Sequence, residues 1–131
     1  MSANILLIIL DSVRAKNTSL YDYANKTTPF LEEFSNYATT YTQARSPSTW
    51  SLPSHTSIFT GYDVAEHNIG SRNHQLKPGH SVWEQLRDEF NYSTAVFSDN
   101  PFITRTKYGL DRGFDDVISS LPSKEYPFSD G

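Results

Sequence analysis

The sequence predicts an α/β domain built on a mostly parallel sheet flanked by helices, and two observations carry that reading. Asn4 to Leu10 is an uninterrupted apolar run that ends in Asp11. Such a run is the pattern of a parallel strand buried on both faces. Further along, segments with helical spacing alternate with β-prone segments, the order that builds a parallel sheet under helices. Open α/β sheets place their sites at the C-terminal edge of the strands, so the first strand is predicted to deliver the Asp11 carboxylate there.

The remaining elements follow in order. Asp11 to Lys26 is polar and turn-rich, with Tyr21, Asp22 and Tyr23 as its aromatic cluster, and reads as a loop at the edge of the site. Thr28 is placed to cap a helix with Pro29 at its first position; Phe30, Leu31, Phe34, Tyr37 and Ala38 then recur at helical spacing. That helix is predicted to cover the sheet. Thr39 to Ala44 is β-prone and predicts a short strand, which leads through Ser46–Trp50 to Ser51.

Ser51-Leu52-Pro53-Ser54-His55 opens a short helix that Gly61 ends. Pro53 suits the first helical position, and the amides of a first helical turn lack intrahelical partners, so they can hold an anion such as a phosphate or sulfate ester. Ser51 sits where that anion would arrive. Tyr62 to Pro78 is polar, with glycines and histidines, and reads as a connector in which His67, like His80 beyond it, is a surface residue. Ser81 and Glu84 make a capping box for a helix with Val82, Leu86 and Phe90 on one stripe. Ser93 to Ser98 is a second core strand, ended by the turn chemistry of Asp99-Asn100-Pro101. Trp50, Trp83, Phe30 and Phe34 read as core or pocket-wall aromatics. Ser119 to Gly131 reads as a loop.

Composition narrows the function. Eleven Lys and Arg against 15 Asp and Glu give a formal charge of −4, which argues against a general nucleic-acid surface and leaves no polybasic membrane patch. There is no cysteine, so disulfides and thiolate metal sites are excluded and a nucleophile must be a hydroxyl or its derivative. The apolar run after Met1 is too short to cross a bilayer and lacks the flanks of a signal peptide, so a cytoplasmic location is the expectation. The 131 residues are expected to form one domain, 1–131, and the sequence shows no internal boundary or repeat.

Four stretches together resemble the N-terminal part of sulfatases, within the alkaline phosphatase superfamily: the opening run with Asp11-Ser12-Val13-Arg14, Thr28 to Phe34, Ser51 to Gly61, and Gly109 to Asp115. The resemblance implies an alkaline-phosphatase-like fold. It also implies that Ser51 aligns with the catalytic nucleophile, which in the family is a cysteine or serine oxidised to formylglycine within a Cys/Ser-x-Pro-x-Arg signature. Here His55 stands at the arginine position. Classical members carry paired aspartates after the first strand, whereas Asp11 is followed by Ser12. A lysine and a histidine follow the strand that corresponds to Ser93–Ser98 in the family; Asp99-Asn100-Pro101-Phe102 stands there instead. A single aspartate with a plain serine looks more like the phosphodiesterase and phosphotransferase branches. The family's catalytic domains are several times longer and draw further metal ligands from a later strand, so the chain is expected to be a sulfatase-like N-terminal fragment, inactive by itself.

The resemblance assigns Ser51 and His55 to catalysis, Asp11 to a metal and Arg14 to the substrate. The residues alone leave other readings open: Asp11 as an acceptor for loop amides, Ser51 as a helix cap, His55 as base, donor to ester oxygens or surface residue, and Arg14 as a solvated group or a partner of Glu32 or Glu33. The implied cofactor is a divalent cation, Ca²⁺ first, with Mg²⁺, Mn²⁺ or Zn²⁺ as alternatives; a hard cation needs more oxygen ligands than one carboxylate supplies, and zinc needs imidazoles as well. The expected function is metal-dependent hydrolysis of sulfuric or phosphoric esters, on a small-molecule or glycan substrate, with no nucleic-acid partner and no membrane span. The alternatives are a phosphodiesterase or phosphoglycerol-type transferase, and a non-catalytic relic that binds an anion or a partner protein.

Overall fold

A computed structural model describes residues 3–120, which fall into two compact units that divide between Arg45 and Ser46. In the first unit, two short 3-10 turns at Ala15–Asn17 and Ser19–Tyr21 precede helix α1, Pro29–Ser35. The turns are tied to the start of α1 by hydroxyls: Thr28 N–H donates to Ser19 Oγ at 3.0 Å, and Thr27 Oγ1 donates to the Asn17 carbonyl at 2.9 Å. Thr28 therefore spends its hydroxyl on Ser19 and Leu20 and makes no side-chain cap on α1. Proline at the first helical turn is as predicted.

Two expectations for this unit are overturned. Residues 4–10 form no strand, and Ile5 to Leu10 are between 37% and 84% exposed. Residues 39–44 form no strand either. The physical reason is the same in both: a strand exists only through its ladder, and among the described residues neither segment is paired in a ladder, the backbone bonds at Leu10 and Tyr41 being local turns. Apolar patterning without a neighbour leaves an open chain. The aromatics of α1 are not core residues: Phe30 and Phe34 stack at 6.1 Å between centroids, yet they are 71% and 51% exposed.

The second unit holds the core. Helix α2 (Ser51–Thr60), the single turn α3 (Val64–His67), helix α4 (Val82–Asp88), strand β1 (Ala95–Phe97), the short helix α5 (Pro101–Thr104) and strand β2 (Asp116–Ile118) follow one another. The two strands are parallel, with Val96 opposite Val117. A two-stranded parallel sheet flanked by helices bears out the predicted fold class.

Leu52, Phe59, Ile69, Leu76, Ile103, Tyr108 and Leu110 make the buried cluster, with Trp50, Trp83 and Phe114 packed on it. Trp50 and Trp83 are thus placed as predicted. The stripe expected on α4 is not its buried face, because Val82 is 40% and Phe90 61% exposed while Glu84 is buried. Glu84 goes inside because its carboxylate accepts the amides of Gly79 and Ser81, the second being half of the predicted capping box. Asn100 caps α5 by accepting the Phe102 amide. The predicted tail loop lies, from Leu121 on, outside the described residues.

Gly113 and Gly109 explain why the Gly109–Asp115 stretch has its composition. A Cβ at Gly113 would stand 2.4 Å from Trp83 Cβ and 2.7 Å from the Glu84 amide nitrogen, so only glycine lets this turn press against α4. Gly109, at φ +75°, leaves the same lack of room beside the Leu76 carbonyl and the Arg112 guanidinium. Arg112 donates to that carbonyl and fastens the turn to the residue 76 segment.

Candidate active site

Helix α2 is the centre of the candidate site. Trp50, in extended conformation, is its N-cap, so Ser51 occupies the first helical position and Pro53 the third rather than the first. Pro53 still falls inside the turn whose amides have no intrahelical partner, so its missing N–H costs nothing. At the other end Gly61 takes φ +74° and donates its amide to the Ser57 carbonyl at 2.8 Å, closing the helix as predicted.

The hydroxyls of α2 are sorted by burial. Thr56 and Thr60 bond back to the carbonyls of Leu52 and Thr56, each at 2.8 Å. Ser54 is buried and bonds the Ser48 carbonyl at 3.2 Å and the Ser46 hydroxyl at 3.1 Å, which holds the preceding loop on the helix. Ser51 differs from these. It is half-buried at the very start of the helix, where the positive end of the helix dipole lies.

His55 is brought to Ser51. Its Nδ1 lies 2.8 Å from the Ser51 carbonyl oxygen, and because a carbonyl only accepts, Nδ1 carries a hydrogen and donates it. The ring is 5% exposed and meets Phe59 edge-on. Its position one helical turn from Ser51 agrees with the shared face that sequence spacing predicts.

Asp11 and Arg14 belong to the first unit. Asp11 stands in a turn whose next residue, Ser12, has φ +62°, an uncommon conformation for a residue with a side chain. The Ser12 hydroxyl donates to Asp11 Oδ1 at 3.2 Å. Arg14 is exposed, and neither Glu32 nor Glu33 pairs with it; its own carbonyl accepts the Asn17 amide.

His67 was legible as neither site nor core residue, and the structure corrects the surface reading. The Ile69 amide donates to His67 Nδ1 at 2.9 Å, so Nε2 must carry the proton; it faces Ser57 Oγ at 3.0 Å. Burial pushes this imidazole below its usual range, opposed by a hydrogen bond with the Pro53 backbone and by the charges of Asp63 and Glu66. His67 is a strut between α3 and α2, unable to act as base toward Ser57. The signal was present in the sequence: Asp63 and Glu66 have capping-box spacing, and their box forms α3.

The described residues by themselves do not fit a divalent cation. Among them no group of three or more His, Asp or Glu side chains converges. Asp11 offers one carboxylate where Ca²⁺ takes six to eight oxygens.

The sequence model of the sulfatase family matches residues 3–127. The chain belongs to the sulfatase family. No curated protein and no solved structure matches it. Membership makes this sulfatase domain one of the hydrolase fold of the alkaline phosphatase superfamily. Among the described residues of the sulfatase domain no helix is long and apolar enough to cross a membrane.

Proposed function

We propose that the protein is a metal-dependent hydrolase of sulfuric esters, with phosphoric esters as the second substrate class, acting through the unmodified hydroxyl of Ser51. The observation that carries this reading is the position of Ser51, alone among the α2 hydroxyls in being half-buried at the helix start, in a chain of the sulfatase family. Its oxygen attacks the sulfur or phosphorus, the bond to the alcohol oxygen breaks, and the alcohol leaves with a proton. Water then cleaves the ester left on Ser51. The amides of the first α2 turn favour the anionic group, and His55 fixes the Ser51 backbone through Nδ1. Arg14, in this reading, binds a substrate oxygen by charge-assisted hydrogen bonds. Asp11, in this reading, would be one ligand of a Ca²⁺, or of Mg²⁺, Mn²⁺ or Zn²⁺. When bound, that cation supplies charge for the ester oxygens and eases ionisation of the hydroxyl.

The plain serine, His55 at the arginine position and the lone Asp11 favour a second reading, a phosphodiesterase or phosphoglycerol-type transferase. Hydrolysis of an aryl sulfate and of an aryl phosphate diester by protein from the native host, with Ser51→Ala alongside, separates the two. Turnover of the sulfate that Ser51→Ala abolishes supports the first reading, and turnover of the diester alone supports the second. Turnover that Ser51→Ala leaves intact overturns both.

A further inference from the structure

At the C-terminal end of α2, where Ser57 and Gly61 lie, the second unit forms a cleft of about 740 Å³. Ser51 is ten residues from Gly61, roughly 15 Å at 1.5 Å per residue. We infer that this cleft binds a small monoanion carried on an apolar ring. The floor is apolar and fixed. Ile69 and Leu76 are 5% and 4% exposed, and each is fastened by its backbone: the Ile69 amide to His67 Nδ1, the Leu76 amide to the Tyr108 carbonyl at 3.0 Å, and the Leu76 carbonyl to Arg112. A ligand therefore meets a formed surface, which spares the cost of ordering it on binding.

Polar groups stand around that floor. The Lys77 ammonium and the His80 imidazole make no hydrogen bond or ion pair with any described residue, and both line the cleft. His74 lines the cleft as well, its Nδ1 lying 2.7 Å from the Asn68 carbonyl oxygen and 3.2 Å from the Gly70 amide nitrogen. Tyr62, 46% exposed, gives a ring wall against which a flat apolar body can pack.

The charge of the ligand follows from Glu66. Its carboxylate also lines the cleft, but Oε2 accepts the Asp63 amide at 2.7 Å in the α3 capping box, so Glu66 is committed to the helix and not to Lys77. Among the described residues the Lys77 ammonium stands with a Glu66 carboxylate that keeps its charge while it accepts the amide, so the cleft accommodates a single negative charge at Lys77 and repels a second. A ring sulfonate or carboxylate meets those terms, and a polyanion does not.

The probe is naphthalene-2-sulfonate, titrated into the 131-residue chain and followed by ¹⁵N–¹H spectra. Saturable shifts of the Ile69 and Leu76 amides are expected, with affinity about tenfold lower for Lys77→Gln and for the neutral analogue 2-naphthalenemethanol, and lower again for a naphthalene disulfonate. Lys77 is exposed, so its substitution leaves the fold intact. Unmoved Ile69 and Leu76 amides at saturation, equal affinity in Lys77→Gln, or shifts confined to the exposed Phe30 and Phe34 would each overturn the inference. The readout is binding at Ile69 and Leu76, outside α2, and involves no turnover, so it stands or falls independently of the ester chemistry.

Discussion

His55 Nδ1 donates to the Ser51 carbonyl across one turn of α2 at 2.8 Å, so the residue at the signature's arginine position is tied to the backbone of the residue at its nucleophile position. This separates a positioning role from a chemical one. His55→Ala removes a buried ring and its bond and should lower stability by about 2–3 kcal/mol. His55→Asn can place its amide nitrogen near the site of Nδ1 and should recover part of that loss while lacking Nε2. Urea midpoints test the stability order, and ester turnover in His55→Asn tests whether Nε2 matters beyond the strut.

His67 should make stability fall in mild acid. In the unfolded chain its pKa is near 6.5, and burial holds it lower in the folded protein. Above about pH 6.5 both states are neutral, so the contribution is fully present. Below that pH the unfolded chain takes up the proton first, and stability drops until the folded pKa is passed. Protonation also forces Nδ1 to give up the Ile69 amide. Denaturation midpoints between pH 8 and 5 should fall more steeply for the native sequence than for His67→Gln; parallel curves would contradict the strut.

Gly113→Ala should destabilise the second unit by about 2 kcal/mol or more, because the new methyl meets Trp83 Cβ at 2.4 Å and backbone at 2.7 Å, neither of which is a flexible side-chain end. Gly70→Ala is the control. Nothing lies within 4 Å of its added Cβ, so its thermal midpoint should stay within about 2 °C of the native value.

The second unit was the more legible because its signals are local. Ser81 and Glu84 cap α4 and Gly61 ends α2, each set by chemistry within a few residues, while Ala95–Phe97 has its partner in Asp116–Ile118. Residues 4–10 and 39–44 carry β-type composition as well, but a strand is a relation between two segments, and composition does not supply the second. Thr28 was misread as a cap because Ser19, nine residues earlier, competes for its hydroxyl. At the site, the Ser51–His55 spacing is visible in the sequence; the tautomer of His67 follows only from the Ile69 amide that faces it.

Ser51 should remain an unmodified serine. The modifying signature has arginine where His55 stands, and that imidazole is buried and committed to a carbonyl, so it does not present the exposed cation an arginine would. Peptide mass spectrometry of protein from the native host should find the serine mass. An aldehyde or its hydrate at Ser51 would contradict this and favour true sulfatase chemistry over the diesterase reading.

Residues 1–131 should bind Ca²⁺ only weakly and turn over no ester by themselves. Affinity for a hard cation tracks the number and charge of its oxygen donors, and sites with few carboxylates fall at a Kd of roughly 10⁻⁴ to 10⁻³ M or weaker. Among the described residues no three acidic or imidazole groups converge, and the one carboxylate assigned to the cation, Asp11, already accepts the Ser12 hydroxyl. An underfilled shell does little to ease ionisation of a serine hydroxyl, so nucleophile and cation must arrive together for the reaction to proceed. Calorimetric titration with Ca²⁺ and with Mn²⁺ should give millimolar binding at best, and Asp11→Ala should weaken it further. Micromolar binding accompanied by aryl ester turnover, both lost in Asp11→Ala and the turnover lost in Ser51→Ala, would show that these residues hold a complete site and that the coordination argument is wrong.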